Sequence, residues 1–502
     1  MKLTRRITGV FKQGPIYFCL MGLVIILALY FRFYNYTDRL SIHTDNGRDA
    51  QIAKFALDNL IIPQIGPFSQ APFFFGPWWY WFLALTYLLP LGVFSPWFVM
   101  SIMSLIFLIL IYVLARQIGD KWLAQLAFLI AAFSSSAISN YFNIWNPAII
   151  PILVTFSLIT FIKIVKDKVS NRTVFLLSFT IALSTTIHFQ TFLLAPMIIL
   201  AIFNMKNKFR SALSAILGFT IPFLPFLVFD IAHNWFWTRS FLIFTLVDQN
   251  SIYVPNRWYT YLSDYWPGTW ANALGTSKNF AVFSIATVVT VIVLKAKEIM
   301  KNKALFLLII IFLFDILVLR YYKGTRQIYY GFYSYPFIII FTAWAIREVA
   351  KVSRTVAIVI VLVLLTFTYK QSANALLSNK ISVTKINNLK NQIYTNYPNY
   401  SYNIYGCSKN ISSISQPLAL FMYQDGRNSM DGFKIGVCEN IDEFSWAPLS
   451  DIEANSNTWF SKSTEIVYRD NLEWWKKNPP QKSDFINFLI KKLSPKCYPK
   501  CS

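Results

Sequence analysis

Long apolar runs alternate with short polar segments over residues 1–370 of the chain. An apolar helix of about 20 residues crosses the hydrocarbon core of a bilayer, and most of these runs approach that length. The pattern predicts an all-α, polytopic membrane domain. Its eleven predicted spans lie at residues 16–33, 97–115, 122–138, 148–164, 173–187, 190–204, 211–229, 279–294, 304–319, 331–346 and 355–369.

One further apolar run, residues 76–94, does not fit a simple alternation of loops. A span at this position would reverse the side of the membrane on which every later loop lies. The run contains Trp78, Trp79, Tyr80 and Trp81, and such amphipathic rings favour the membrane–water interface. We therefore expect a re-entrant or surface-lying segment within a long first outer loop, residues 34–95.

Lysine and arginine cluster in every second loop between the predicted spans, as at residues 163–172 and 295–303. This bias is typical of the cytoplasmic loops of membrane proteins, so the N-terminus is expected in the cytoplasm. It also accounts for the formal net charge of +23 without a nucleic-acid partner. A composition of 14% charged residues excludes a soluble multidomain enzyme. We expect a multi-pass protein of the plasma membrane whose basic loops contact anionic lipids.

The composition changes near residue 371, where polar sequence rich in Asn and Ser begins. An odd number of spans places this tail, residues 371–502, outside the cytoplasm, where we expect a soluble α+β domain. Four of the five cysteines lie in it: Cys407, Cys438, Cys497 and Cys501. They indicate two disulfides in an oxidising compartment, with three pairings open. A zinc site is the alternative, disfavoured because no histidine lies nearby.

Acidic residues are rare in the membrane part, yet four of them lie in the first outer loop. The segment from Thr44 to Ala50 is typical of a helix start, with Thr44 or Asp45 as the N-cap. Helical spacing then puts Asp45, Arg48 and Asp49 on one face of a helix lying on the bilayer. Such a face can supply a general base beside a phosphate-binding guanidinium. The alternative is a capped surface helix with a local ion pair.

Other candidate ligand-binding residues lie in loops on the same predicted side. The loop that contains Arg320, Lys323 and Arg326 carries three cations, which is unusual for an outer loop. Either an anionic ligand such as a lipid-linked phosphate or contact with lipid headgroups explains them. Asn146 precedes a helix-starting proline, and His188 lies in a short turn between two predicted spans.

Several of these segments, in this order, resemble the membrane glycosyltransferases related to the dolichyl-phosphate-mannose protein mannosyltransferases and the aminoarabinose transferase of lipid A (glycosyltransferase family 39). The resemblance covers about residues 1–350. It is carried by Asp45-Asn46-Gly47-Arg48-Asp49-Ala50, Ile65-Gly66-Pro67, Phe75-Gly76-Pro77-Trp78-Trp79-Tyr80, Trp145-Asn146-Pro147, His188-Phe189-Gln190 and the segment 326–336.

The resemblance implies a GT-C fold with Asp45 as the catalytic carboxylate. It also implies an inverting single displacement, in which an acceptor hydroxyl on a lipid, glycan or protein attacks a polyprenyl-phosphate sugar. Arg48, Asp49, Asn146, His188, Arg320, Lys323 and Arg326 are then the expected substrate-binding residues. Some relatives have a second acidic residue where this chain has Asn146, which argues against a bridging divalent metal. No cofactor is expected to be required.

Two other functions share the lipid-linked ligand. A transporter or flippase of lipid-linked sugars predicts ionisable residues near the bilayer midplane and paired broken helices. Asp315 is nearly the only acid within a predicted span, and no internal repeat is visible in the sequence. A polymerase or ligase of surface polysaccharide is the nearer alternative.

Overall fold

A computed structural model describes residues 15–67, 69, 73–167, 169–246, 257–322, 326–374, 376–377, 381–407, 414–429, 431–439, 444–448 and 454–457. Lys323, Cys497 and Cys501 lie outside the described residues. Within these ranges a helix lies at each of the eleven positions where the sequence predicts a span.

The helices of the membrane part are, in chain order, α1 (Pro15–Phe33), α2 (Tyr36–Arg39), α3 (Thr44–Asp58), α4 (Trp78–Thr86), α5 (Ser95–Ile118), α6 (Lys121–Phe133), α7 (Ser135–Ser139), α8 (Ile150–Lys166), α9 (Asn171–Ile187), α10 (Pro196–Asn204), α11 (Lys208–Ala232), α12 (Phe236–Leu246), α13 (Arg257–Thr260), α14 (Trp266–Leu274), α15 (Lys278–Leu294), α16 (Ala296–Lys301), α17 (Lys303–Leu319), α18 (Tyr335–Val352) and α19 (Arg354–Asn374). A π-helical turn, Tyr261–Tyr265, joins α13 to α14, and short 3-10 helices include Phe189–Leu194 and Ile328–Ser334.

Four of the described helices are long and apolar enough to cross a membrane alone. They are α5 and α8, each counted with the residues just before it, and α11 and α19. Two bent pairs raise this number to six if each pair forms one span. The eleven-span topology and its orientation therefore stay predictions. The presence of several apolar, membrane-crossing helices agrees with the predicted membrane domain.

The apolar run at residues 76–94 forms an α-helix over Trp78–Thr86 and a single 3-10 turn at Gly92–Phe94. Nine residues of helix rise about 14 Å, less than half the thickness of a bilayer core. The Trp78 indole donates to the carbonyl of Pro222 in α11 at 2.8 Å, and Trp79 is fully buried. The segment thus packs into the protein beside α3 and α11.

Helix α18 lies at the centre of the membrane part. Every residue from Tyr335 to Ile346 is buried, as expected for a helix that is apolar on all sides. By contrast, α11 exposes large apolar side chains such as Ile216, Leu217 and Val228, which suit contact with lipid. Close packing of α11 on α9 depends on Gly218, where a Cβ would lie 2.5 Å from the Phe175 carbonyl oxygen.

The described part of the tail contains two helices and four strands: α20 (Val383–Asn396), β1 (Tyr402–Cys407), α21 (Ser415–Gln424), β2 (Phe433–Glu439), β3 (Phe444–Pro448) and β4 (Ala454–Asn457). The strands form one sheet of order β3-β2-β1-β4. β1 and β2 are parallel, with Tyr402 opposite Phe433, while β3 and β4 pair antiparallel to them. Helix α21 makes the crossover between the two parallel strands, as parallel pairing requires.

Cys438 in β2 forms a disulfide bond. We predict that Cys438→Ser destabilises the tail by about 2–5 kcal/mol, the usual effect of removing a native disulfide from a small secreted domain. Proteolysis at rising temperature, read with antibodies to tail and membrane part, measures this. Unchanged tail protection would show that the bond contributes nothing to its stability.

Candidate active site around Asp45

Helix α3 presents the acidic segment of the first outer loop. It begins at Thr44, and His43 is its N-cap in an extended conformation without a side-chain cap, so the predicted cap at Thr44 or Asp45 is wrong. Asn46, Gly47, Asp49 and most of the following turn are buried. The helix is packed between α4 and α21. Since protein covers both of its long sides, it does not lie alone on the bilayer.

The predicted face of Asp45, Arg48 and Asp49 is present and fully bonded. Arg48 donates to Asp45 Oδ1 from Nη1 at 2.9 Å, and to Asp49 Oδ1 from Nη2 at 2.8 Å and Nε at 2.9 Å. The Asp45 side chain is 62% exposed, whereas that of Asp49 is 2% exposed. Of the two carboxylates, Asp45 is therefore the one that a ligand can reach.

Asp49 is fixed from several directions at once. Besides Arg48, its carboxylate accepts from the Trp79 indole at 3.1 Å and from the Tyr80 hydroxyl at 3.3 Å. Burial raises the pKa of Asp49, and the adjacent Arg48 guanidinium opposes that effect. The contacts that the structure gives Asp49 are internal and hold Arg48 in place, so contact of Asp49 with substrate stays a prediction.

Asn146 and the turn that carries His188 lie close together. Asn146 Nδ2 donates to the carbonyl of Ile187 at 2.7 Å, which fixes the turn that carries His188. The imidazole is 2% exposed and stacks on Phe75 at 5.6 Å. Burial lowers the pKa of His188 to about 3, so the ring is neutral at pH 7.

A row of three tyrosines, Tyr322, Tyr329 and Tyr330, runs from Asp45 across the site. Burial, the neighbouring Tyr330 and the charge of Asp45 raise the pKa of Tyr329. Hydrogen bonds join Tyr329 to Tyr330 and Tyr330 to Tyr322. This tyrosine row also contacts His188, whose ring lies 6.0 Å from that of Tyr329.

At the far end of the tyrosine row lie Arg257, Arg320 and Arg326, which we call the arginine cluster. Arg257 donates to the Tyr322 carbonyl at 3.3 Å, and Arg326 donates to the Arg257 carbonyl at 3.3 Å. Burial lowers the pKa of Arg326, and the positive charges of Arg257 and Arg320 lower it further. Guanidinium groups that repel one another at short range favour binding of an anion.

Aromatic rings support two members of the arginine cluster. The Arg320 guanidinium lies over Trp258 at 4.4 Å, and that of Arg326 lies over Tyr261 at 4.8 Å. Within the described residues Asp315 has no hydrogen-bond partner on either carboxylate oxygen.

The sequence predicts Arg320 and Arg326, which the structure brings together, but not Arg257. Arg257 begins a segment rich in Trp and Tyr, residues 257–270. A single arginine there points to no partner until the fold is known. The predicted contribution of Lys323 lies outside the described residues.

The side chains around Asp45 do not suit a divalent metal ion. Asp45 and Asp49 both bond to the Arg48 guanidinium, whose positive charge opposes a second cation at the same carboxylates. Among the residues that the structure describes, no three His, Cys, Asp or Glu side chains are grouped to hold a metal.

No protein-family model and no curated protein matches the chain, but several solved structures share its fold. The oligosaccharyltransferase of Archaeoglobus fulgidus, in the apo form, matches with a TM-score of 0.53 and 14% identity over 80% of this chain. The same archaeal enzyme, in complex with an inhibitory peptide and a dolichol-phosphate, matches with a TM-score of 0.51 and 13% identity over 82%. In both cases this chain spans 64% of the archaeal protein's length.

ArnT from Cupriavidus metallidurans, bound to undecaprenyl phosphate, matches with a TM-score of 0.55 and 12% identity. The match covers 84% of this chain and 93% of ArnT. These proteins are GT-C fold glycosyltransferases, so the predicted GT-C fold is confirmed. Its apolar helices and the membrane proteins that share its fold together indicate that the chain is a membrane protein.

We predict that Asp49→Asn lowers the free energy of unfolding by about 3 kcal/mol, because it leaves part of the Arg48 charge unpaired in a buried site. Thermal unfolding in detergent, followed by tryptophan fluorescence, measures the change. Asp264→Asn is the control, since Asp264 pairs with Lys278 while 73% exposed. Such a pair is worth at most about 1 kcal/mol. Equal effects of the two variants would contradict the assigned role of Asp49.

Proposed function

We propose that this protein is a glycosyltransferase that moves a sugar from a polyprenyl-phosphate donor to an acceptor hydroxyl at the extracytoplasmic face of the membrane. One observation carries the proposal: an accessible carboxylate, Asp45, lies at one end of the tyrosine row, and the arginine cluster lies at the other end. Transfer of a sugar by direct displacement needs a base for the acceptor hydroxyl and, separately, a group that binds the departing phosphate anion.

Asp45 acts as the general base. It accepts the proton of the acceptor hydroxyl while that oxygen forms a bond to the anomeric carbon of the donor sugar. The bond from this carbon to the phosphate oxygen breaks on the opposite face, so the configuration of the sugar inverts. The hydrogen bond from Arg48 holds the Asp45 carboxylate in place at the surface of the site.

The departing polyprenyl phosphate carries the electron pair of the broken bond. Arg257, Arg320 and Arg326 stabilise that charge, with Lys323 as a further expected contributor. Guanidinium groups suit phosphate because their planar donors match two oxygens at once. The dolichol-phosphate and undecaprenyl phosphate bound in the similar structures support a lipid phosphate as the ligand.

Asn146 and His188 act indirectly in this scheme. Asn146 holds the turn at Ile187, and the neutral His188 ring supports Tyr329 beside the acid. A neutral imidazole adds no positive charge for a phosphate, which leaves that task to the arginines. Both residues therefore shape the wall of the site.

A transporter of lipid-linked sugars is the second candidate. It is favoured by Asp315, an acid buried within α17 whose carboxylate lacks hydrogen-bond partners among the described residues. This function requires movement of the intact donor between leaflets and no cleavage of its sugar–phosphate bond. A polysaccharide polymerase or ligase would use the same base and arginines with a glycan acceptor.

We predict that Asp45→Asn lowers kcat for release of polyprenyl phosphate by about 10²- to 10⁴-fold, the usual contribution of a general base. The substitution preserves size and leaves one oxygen to accept from Arg48, so the variant is expected to fold. Near-normal turnover in this variant would remove Asp45 from the reaction.

We predict that Arg257→Gln and Arg326→Gln each raise the KM for the donor by about tenfold, because one charge-assisted contact is worth about 1.5–3 kcal/mol. Arg239→Gln is the matched control: Arg239 lies in α12 and donates to the carbonyl of Asn234 just before that helix, and the charge that acts on it is that of Asp230. Donor titrations at saturating acceptor measure the effect. A donor KM that stays unchanged in both cluster variants would show that the phosphate binds elsewhere.

A further inference from the structure

The tail docks on the first outer loop at three separate places. Asp38 Oδ1 accepts from the backbone N–H of Thr384 at 3.3 Å and from its hydroxyl at 2.8 Å, at the start of α20. The Tyr423 ring near the end of α21 lies 6.2 Å from that of Phe55, and its hydroxyl bonds with Asp58. Between these two contacts, α21 meets α3 at Gly47.

Helix α21 is enclosed on both sides. Every residue from Ser415 to Met422 is buried, with strand β1 of the tail on one side and helix α3 on the other. A helix without an exposed face cannot be the surface of a loosely tethered domain. The tail and the helix that carries Asp45 therefore share one packed interface.

Gly47 is the closest point of that interface. A Cβ atom at this position would lie 2.6 Å from Pro417 N and 2.8 Å from the carbonyl carbon of Gln416. Both are backbone atoms, so no side-chain rotation can relieve the overlap. Glycine is among the poorest helix formers, and its presence within α3 is explained by this close approach.

Gly47 lies one residue before Arg48 and two residues after Asp45. Any displacement of α21 at Pro417 is therefore transmitted directly to the turn of α3 that carries the acid and its guanidinium partner. The two contacts farther away, at Asp38 and at Tyr423, fix the ends of the same interface.

We propose that the tail is a positioning element of the active site, with α21 seated on Gly47 to hold Asp45 and Arg48 in their working geometry. This inference rests on the proposed role of Asp45. Gly47, Pro417 and Tyr423 are positioning residues, since none of them touches the reacting atoms. The donor's phosphate is held by the separate arginine cluster, so loss of this positioning reduces kcat and spares donor binding.

The test compares Gly47→Ala with Gly268→Ala in the full-length protein in lipid. Gly268 lies in α14, and no atom lies within 4 Å of the point that a Cβ would occupy, so alanine fits there freely. Gly47→Ala is expected to lower kcat by about 10- to 100-fold, the effect of a misplacement of about 1 Å, with the donor KM unchanged. Gly268→Ala is expected to keep normal kcat and KM.

A second variant keeps the test valid if Gly47→Ala does not fold. Thr384→Val combined with Tyr423→Phe removes hydrogen bonds from both ends of the interface without substituting any residue of α3. This double variant is expected to lower kcat at constant donor KM and to speed amide hydrogen exchange in α3 and α21.

Normal kcat in a folded Gly47→Ala protein, or in the double variant despite faster exchange, would overturn the positioning role. A rise in donor KM equal to the fall in kcat would also overturn it, because that pattern indicates general damage. Failure of the proposed function is distinguishable, since the wild-type protein would then release no polyprenyl phosphate from any donor.

Discussion

The bonds from one guanidinium, Arg48, to two carboxylates organise the candidate site. Asp49 fixes one side of Arg48 in a buried setting of Trp79 and Tyr80, and Asp45 takes the exposed side. Breaking a buried pair costs several kcal/mol, so this arrangement resists rearrangement. The exposed acid is consequently held in place by Arg48, which the buried Asp49 fixes in turn.

Beyond Arg48 and its two carboxylates, the rest of the site consists of aromatic rings in contact and a group of like charges. The tyrosine row spans the gap between Asp45 and the arginine cluster, and the rings of Trp258 and Tyr261 carry Arg320 and Arg326. Repulsion among the arginines is relieved when an anion binds, whereas Asp45 favours a ligand that gives up a proton. A donor sugar with its phosphate on one face and the acceptor on the opposite face would place the phosphate at the arginine cluster and the acceptor at Asp45.

Much of this could be predicted from local sequence, because its causes are local. Apolar runs and basic loops predict the helices at all eleven positions, and helical spacing predicts contacts among Asp45, Arg48 and Asp49. The burial of Asp49 and His188, the convergence of Arg257 with Arg320 and Arg326, and the seat of α21 on Gly47 depend on segments far apart in the chain. No periodicity or residue type indicates such contacts, and Gly47 in particular gives no sign of the backbone opposite it.

The central claim is cleavage of a sugar–phosphate bond in a lipid-linked donor. The most direct measurement incubates the purified protein, in vesicles, with a panel of radiolabelled polyprenyl-phosphate sugars and follows free polyprenyl phosphate together with transferred label. The account predicts that at least one donor releases polyprenyl phosphate in step with labelling of an acceptor. Movement of intact donor between leaflets, with no release from any member of the panel, would contradict it and favour the transporter.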